Sequence, residues 1–397
     1  MSHELIEANP DLKRLKDEGY AVEVKDSYLL VHEIPYVNAN RKIKYGILVS
    51  DLSSMAGNRT TSPVGQHVAY FIGDHPCNSD GSIISAIKHS TNNQSFTKEI
   101  TVNHSFSNKP QGGYQNYYEK MVSYINIISS QAKAIDDSVT EKPFKTIDSE
   151  NEEQIFKYVD TNSGKAKIVA IASKLKEQKV AIIGLGGTGS YILDMISKTP
   201  VREIHLFDGD LFLQHNAFRS PGASSLGELQ ALQKKTDYFQ THYSNIRTNI
   251  ISHNYYIDNQ NIDELLVMNF VFICIDKSDI KKVIIDRLVS HGISFIDTGI
   301  GVINIDDSLI GHIRVTTSTP NMREHLKTRI AFSDDGGEND YSTNIQIAEL
   351  NALNAALAVI KWKKLFGYYQ DQSKEFNSVY SINDGVLINE DNFVCIC

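Results

Sequence analysis

The chain has 397 residues, 41% of them apolar and 22% charged, and a formal charge of -9 at pH 7. That length holds two or three domains whose cores need no disulfide or metal, and the negative balance excludes a broad electropositive surface for nucleic acid or anionic lipid while leaving room for a small basic pocket. Four cysteines, Cys77, Cys274, Cys395 and Cys397, are too few and too oddly placed for a disulfide framework; the charged start MSHELIEANPDLKRLKDEG lacks a signal core, and no apolar run reaches membrane-spanning length, so the expectation is a cytoplasmic protein without membrane or nucleic-acid partners.

In chain order, YAVEVKDSYLLVHEIP and KIKYGILVS alternate apolar and polar residues and predict strands over 20–49, with another at His67–Gly73. A long helix is expected from about Tyr114 to Ile135, because Tyr117, Met121, Tyr124, Ile125 and Ile128 recur on one face. Residues 1–137 therefore read as an N-terminal α+β domain. The stretch 136–153, DDSVTEKPFKTIDSENEE, is acidic and broken by Pro143, and two helical segments are expected near 152–160 and 164–177. This sets a connecting segment at 138–163 and a second domain at 164–397.

From KVAIIG to ISFIDTG, strands and helices alternate, as in an α/β fold with a doubly wound, mainly parallel sheet. Short strand-like pieces at 301–316 follow, then a polar crossover loop at about 316–344. The segment Ile345–Phe366 is apolar nearly all round apart from Asn351 and Asn354, which predicts a buried helix. SVYSIND and GVLINED would close the chain as a hairpin.

The stretch VAIIGLGGTG places Gly184, Gly186 and Gly189 in G-x-G-x-x-G spacing after a short apolar strand. In the dinucleotide version of this turn a pyrophosphate rests on the helix N-terminus, and an acidic residue about 20 positions later grips the ribose. Asp208, closing EIHLFD, meets that demand, so an NAD-dependent oxidoreductase is one reading. The residues beyond it are Asp210, Asn216, Arg219, the pair Lys234 and Lys235, and Asp276.

This ordered set, GLGGTG, DGD, NAFR, KKTD and CID, resembles the ThiF/MoeB/HesA-like superfamily, which includes the adenylation domains of ubiquitin-activating enzymes; the likeness covers roughly 165–395. It implies ATP-dependent adenylation, with Mg2+, of the C-terminal carboxylate of a ubiquitin-like (β-grasp) protein in a conjugation or sulfur-carrier pathway. It also implies a homodimer and a conjugating-enzyme-like protein or sulfur donor as receiver. Carried onto this chain, nucleotide contacts fall on Gly184, Gly186, Gly187, Gly189, Asp208, Asp210, Asn216, Arg219 and Lys235, and catalysis on Arg219, Lys235 and Asp276; Lys235 is preferred to Lys234 because KTD better matches the family pattern.

The chemistry accounts for these residue types. A carboxylate attacking the α-phosphate brings two anions together, so cations must offset the accumulating charge. The planar fork of Arg219 suits phosphate oxygens, Lys235 adds a point charge, and Asp276 at the carboxyl end of a parallel strand would hold magnesium. A terminal carboxyl with a pKa of about 3.5 is already ionised at neutral pH, so no general base is required. The same residues admit structural roles: Asn216 in a turn, Arg219 in an ion pair, and Asp276 as a cap of the helix that follows.

The chain departs from the family pattern in three places. Paired C-x-x-C motifs are absent, so no structural zinc is expected. The crossover loop has no cysteine, which leaves Ser318, Thr319 and Ser342 as hydroxyls there and Cys395 and Cys397 as weak candidates for a covalent intermediate. Where the family often places an arginine ahead of the glycine turn, this chain has Lys174, Lys176 and Lys179. The segments HVAYFIGDHPC and FSNKPQGGYQNYYEKMVSYINII resemble the leader domain of bacterial ThiF-like proteins found beside ubiquitin-like genes, with Tyr114, Tyr117, Tyr118 and Tyr124 either packing the helix or forming a partner surface. Rival readings are adenylation of a peptide or of a transfer-RNA nucleoside, and an inactive nucleotide-bound adaptor.

Overall fold

The computed structural model describes residues 2–63, 65–147, 155–276, 278–330 and 345–392. Two units emerge, Met1–Ser173 and Lys174–Cys397. The first opens with helices α1 (Ser2–Ala8) and α2 (Pro10–Asp17), the latter started by a proline whose missing N–H costs nothing at that position. Strands β1 (Ala21–Lys25), β2 (Tyr28–Val37), β3 (Ile43–Asp51), β4 (Val68–Ile72), β5 (Lys88–Ser95) and β6 (Thr101–Ser107) form one antiparallel sheet in the order β1-β2-β3-β4-β6-β5. Helix α3 (Tyr117–Lys133) is capped by the Asn116 side chain, which accepts from the Glu119 N–H.

The helix stripe predicted from spacing packs into the core with Tyr114: Tyr114, Tyr117, Met121, Tyr124, Ile125 and Ile128 are all buried against residues of the sheet. Tyr118 lies under the Arg14 guanidinium, 3.9 Å from ring centre to cation. Tyr114, Tyr117 and Tyr124 thus serve the core, while Tyr118 stays partly exposed. Strand β5 escapes sequence reading because KHSTNNQS carries no apolar alternation.

On the buried side of α3, Lys120 is fully enclosed and donates from Nζ to Ser50 Oγ at 2.9 Å. Burial pushes its pKa down to about 8, with Asp51 pulling the other way. The unfolded chain therefore binds more protons than the folded one between about pH 8 and pH 10.5, and stability rises with pH through that window. Lys120→Met should raise stability at neutral pH by about 1–3 kcal/mol and abolish that rise, measured by thermal unfolding across the window; an unchanged pH profile would show that the ammonium is not desolvated.

Past α3 in the chain, residues 155–160 carry no helix, while 148–154 lie outside the described residues. The expected helix at 164–177 is instead a turn of helix at Thr161–Ala166, a second at Val169–Ala172 and a 3-10 turn at Ser173–Leu175. Lys167, in the left-handed conformation at φ 57°, ends the first turn and breaks the run.

In the second unit an eight-stranded sheet runs β9-β8-β7-β10-β11-β12-β13-β14. Its parallel part comprises β7 (Lys179–Ile183), β8 (Glu203–Phe207), β9 (Ile250–His253), β10 (Phe270–Ile273) and the start of β11 (Ser294–Ile305). Strands β12 (Ser308–Ser318), β13 (Asn377–Ser381) and β14 (Val386–Glu390) extend it antiparallel. What read as short pieces at 301–316 is one long β11–β12 hairpin, turned at Asp306 and Asp307, both at positive φ; glycines at 299, 301 and 311 hide its alternation. The end of the chain pairs as β13 and β14, the hairpin expected from SVYSIND and GVLINED.

Helices α4 (Gly187–Ser197), α5 (Lys235–Tyr243) and α7 (Ala348–Leu365) contribute to one apolar cluster with the sheet, and α6 (Ser278–Ser290) to another. Having both faces covered explains why KVAII and FVFI are continuous apolar runs. Strand order reverses at β7: β8 and β9 lie to one side, β10 and β11 to the other. The crevice at the carboxyl ends of β7 and β10 is the place where such sheets bind ligands.

Candidate nucleotide site

At that crevice the glycines do different jobs. Gly184 turns the chain at φ +87°, and a β-carbon there would come within 2.7 Å of the Cys274 carbonyl. Gly189 brings α4 against the Gly184 carbonyl, and Gly187 makes way for the Asn351 carboxamide from α7. Asn351, fully buried, accepts from Thr188 Oγ1 at 2.9 Å and donates to the Ile347 carbonyl at 3.0 Å. Only Gly186, at the helix N-terminus, has open space over its α-carbon, with Gln346 Oε1 the nearest atom at 3.9 Å. Of the four predicted contacts, this is the glycine whose missing side chain leaves room for a ligand.

Asp208 holds the turn in place. Its Oδ2 accepts the Leu185 N–H at 2.7 Å and its Oδ1 accepts the Asp210 N–H at 2.9 Å. Lys235 Nζ lies 2.7 Å from Asp210 Oδ2 and 3.5 Å from Asp208 Oδ2, with its side chain 6% exposed. Lys234 instead donates to the Gly209 carbonyl at 2.5 Å. The lysine chosen from the sequence is thus the one placed between both carboxylates.

Asn216 sits in the helical turn Gln214–Ala217 and is 2% exposed. Its side-chain oxygen must face the Leu213 N–H, 2.9 Å away, since that group can only donate. The opposite atom, Nδ2, is then a buried donor with no hydrogen-bond partner among the described residues, and so is Arg219 Nε. Burial draws the Arg219 guanidinium below its usual range, while Asp276 and Asp210 pull it back up. Desolvation, followed by Arg219 and Lys235, lowers the pKa of His215. These couplings place Arg219, Lys235, Asp210 and Asp276 within one electrostatic neighbourhood. Asp276 is exposed, three residues past β10.

Several residues of this region carry no readable motif. Tyr256 donates from its hydroxyl to Asp210 Oδ1. Lys281 and Arg314 flank the fully buried Asp297 at 3.1 and 2.6 Å, tying α6, which begins just after Asp276, to β11 and β12. Asn351, inside the otherwise apolar α7, was the visible trace of the Gly187 contact, whereas Asn354 donates to the Gly299 carbonyl at 3.1 Å.

Other expectations fare differently. Lys174 donates to the Gly367 carbonyl and Lys179 pairs with Glu203 at 2.9 Å. Ser318 is fully buried at the end of β12, so it does not fit a nucleophile's place. Burial pushes the Cys274 thiol, packed beneath the glycine turn, up to about 12, and Cys77 is buried. Residues 331–344, with Ser342, and 393–397, with Cys395 and Cys397, lie outside the described residues. No helix among the described residues is long and apolar enough to cross a membrane.

A glycine turn at the switch point of a doubly wound sheet, with an acidic strand end behind it, defines an α/β protein of the nucleotide-binding kind. The chain belongs to the ThiF family, whose model matches residues 162–382; residues 10–161 match a second family, described as a domain of unknown function (DUF6791). Curated relatives include "Ubiquitin-like modifier-activating enzyme 5" from Drosophila willistoni, 23% identical over 163 residues, and from Branchiostoma floridae, 26% identical over 165 residues; in each case the match covers 37% of this chain and 38% of the relative. The chain thus spans about two fifths of the length of the curated relatives it matches. Similar solved structures include E. coli MccB with ATP (16% identity, TM-score 0.46, covering 60% of this chain and 74% of that one) and PaaA (16% identity, TM-score 0.47, covering 70% and 86%).

Proposed function

We propose that the second unit adenylates the C-terminal carboxylate of a ubiquitin-like protein at the expense of ATP. The observation that carries this reading is the pair of buried donors without partners among the described residues, Asn216 Nδ2 and Arg219 Nε, in a turn whose His215 feels the charges of both Arg219 and Lys235. A buried donor left unpaired costs about 1–3 kcal/mol, and phosphate oxygens are acceptors that would relieve such donors. Membership of the ThiF family and the likeness to ubiquitin-like modifier-activating enzymes support ATP over a nicotinamide nucleotide.

In the proposed step, a carboxylate oxygen of the acceptor attacks the α-phosphorus, the bond from that phosphorus to the bridging oxygen of the β-phosphate breaks, and pyrophosphate leaves with the electron pair. No proton moves. Arg219 and Lys235 would balance the charge on the phosphate oxygens, and Asp208 would keep the turn closed while meeting the ribose. Magnesium would be held by Asp276 together with phosphates rather than by a protein cage. When bound, the ion would neutralise phosphate charge. A homodimer, delivery to a conjugating-enzyme-like protein and recruitment by the first unit complete the proposal.

The test is ATP–pyrophosphate exchange with candidate ubiquitin-like proteins carrying either a free or an amidated C-terminus. Exchange is expected with the free acid alone. Equal exchange with both would mean that the attacking group is not the terminal carboxylate.

A further inference from the structure

Nothing in the sequence pattern singles out Tyr256, yet it touches the site through two separate contacts. Its hydroxyl donates to Asp210 Oδ1, while Asp210 Oδ2 takes the Lys235 ammonium at 2.7 Å. Its ring lies against Gly209, where a β-carbon would stand only 2.8 Å from the ring atoms. The glycine of the DGD strand end is therefore matched to this ring. The hydrogen bond to Asp210, and then burial, push the phenol pKa up to about 12, so the hydroxyl stays a donor through the whole neutral range.

The geometry points to Tyr256 as a positioning residue that locks the Asp210 carboxylate against Lys235 and so presents the ammonium to the phosphates of ATP. This inference rests on the nucleotide reading given above. Asp210 is half exposed, with a side chain 49% accessible; the Tyr256 hydroxyl on Oδ1 and the Lys235 ammonium on Oδ2 together hold its carboxylate on the lysine rather than against a phosphate, where like charges repel. A tetrahedral ammonium has three N–H groups, enough to keep Asp210 and still meet a phosphate oxygen, provided that the carboxylate remains where Tyr256 puts it. Asp210 then acts through Lys235 and not as a direct nucleotide contact.

The experiment is a titration of the full chain with ATP and magnesium, and separately with adenosine, for the wild type, Tyr256→Phe, Asp210→Asn and the double variant. Phenylalanine keeps the ring on Gly209 and removes only the hydroxyl. Tyr256→Phe should weaken ATP binding about tenfold while adenosine binding and the unfolding temperature stay the same, and it should add less than about twofold on the Asp210→Asn background. Equal ATP affinity in wild type and Tyr256→Phe, or the same loss on both backgrounds, would overturn the positioning role. A matching loss for adenosine would show that Tyr256 serves the base or the fold. A wild type that binds no ATP would instead overturn the nucleotide reading itself.

Discussion

Arg219→Ala is expected to lower ATP–pyrophosphate exchange on the order of 10²- to 10³-fold, the loss typical of removing one preorganised donor from a developing anion. The guanidinium is half-buried, and its Nε has no partner among the described residues, so its removal breaks no hydrogen bond through that atom. Unfolding temperature should consequently hold steady while turnover falls. Lysine at this position keeps the charge but not the fork, and should restore only part of the rate. A large loss of stability with normal residual exchange would reverse the assignment and make Arg219 a structural cation.

Asp297→Ala should have the largest effect on folding. The carboxylate is wholly buried between Lys281 at 3.1 Å and Arg314 at 2.6 Å, and Arg314 also donates to Thr316 Oγ1, which in turn donates to Asn377 at 2.8 Å. Removing the single anion leaves two cations enclosed without compensation, a change that costs about 3–5 kcal/mol. Thermal unfolding of the second unit should fall by roughly 6–20 °C, at about 2–4 °C per kcal/mol for a unit of this size. A shift of less than about 2 °C would mean that water reaches the cluster. Asp297 and its partners lie on β11, β12 and α6, so the loss should also loosen the helix that follows Asp276.

How much of this was legible in the sequence depended on whether the information was local. A strand, a tight turn and a helix impose their spacing on neighbours in the chain, so the glycines and Asp208 could be read directly, and the order of Asn216, Arg219 and Lys235 followed from the resemblance. The division of labour among the glycines could not be read, because Gly187 answers to Asn351, 164 positions away in the chain, and Gly209 to Tyr256. The same holds for the Lys281–Asp297–Arg314 cluster, which exists only once α6, β11 and β12 meet. Polar strands such as KHSTNNQS lack the periodicity that reading depends on, and the long β11–β12 hairpin was masked by its glycines. The helix expected at 164–177 failed for another reason: Lys167 adopts a left-handed conformation that propensity does not foretell.

The central claim is that the crevice at the β7–β10 switch point directs attack onto the α-phosphate of ATP. The most direct measurement is the identity of the products when the chain is incubated with magnesium, ATP labelled in the α-phosphate, and a ubiquitin-like protein with a free C-terminus. Label on the acceptor's terminal carboxylate together with free pyrophosphate is the predicted result; ADP and orthophosphate, or consumption of a nicotinamide nucleotide with ATP untouched, would contradict it.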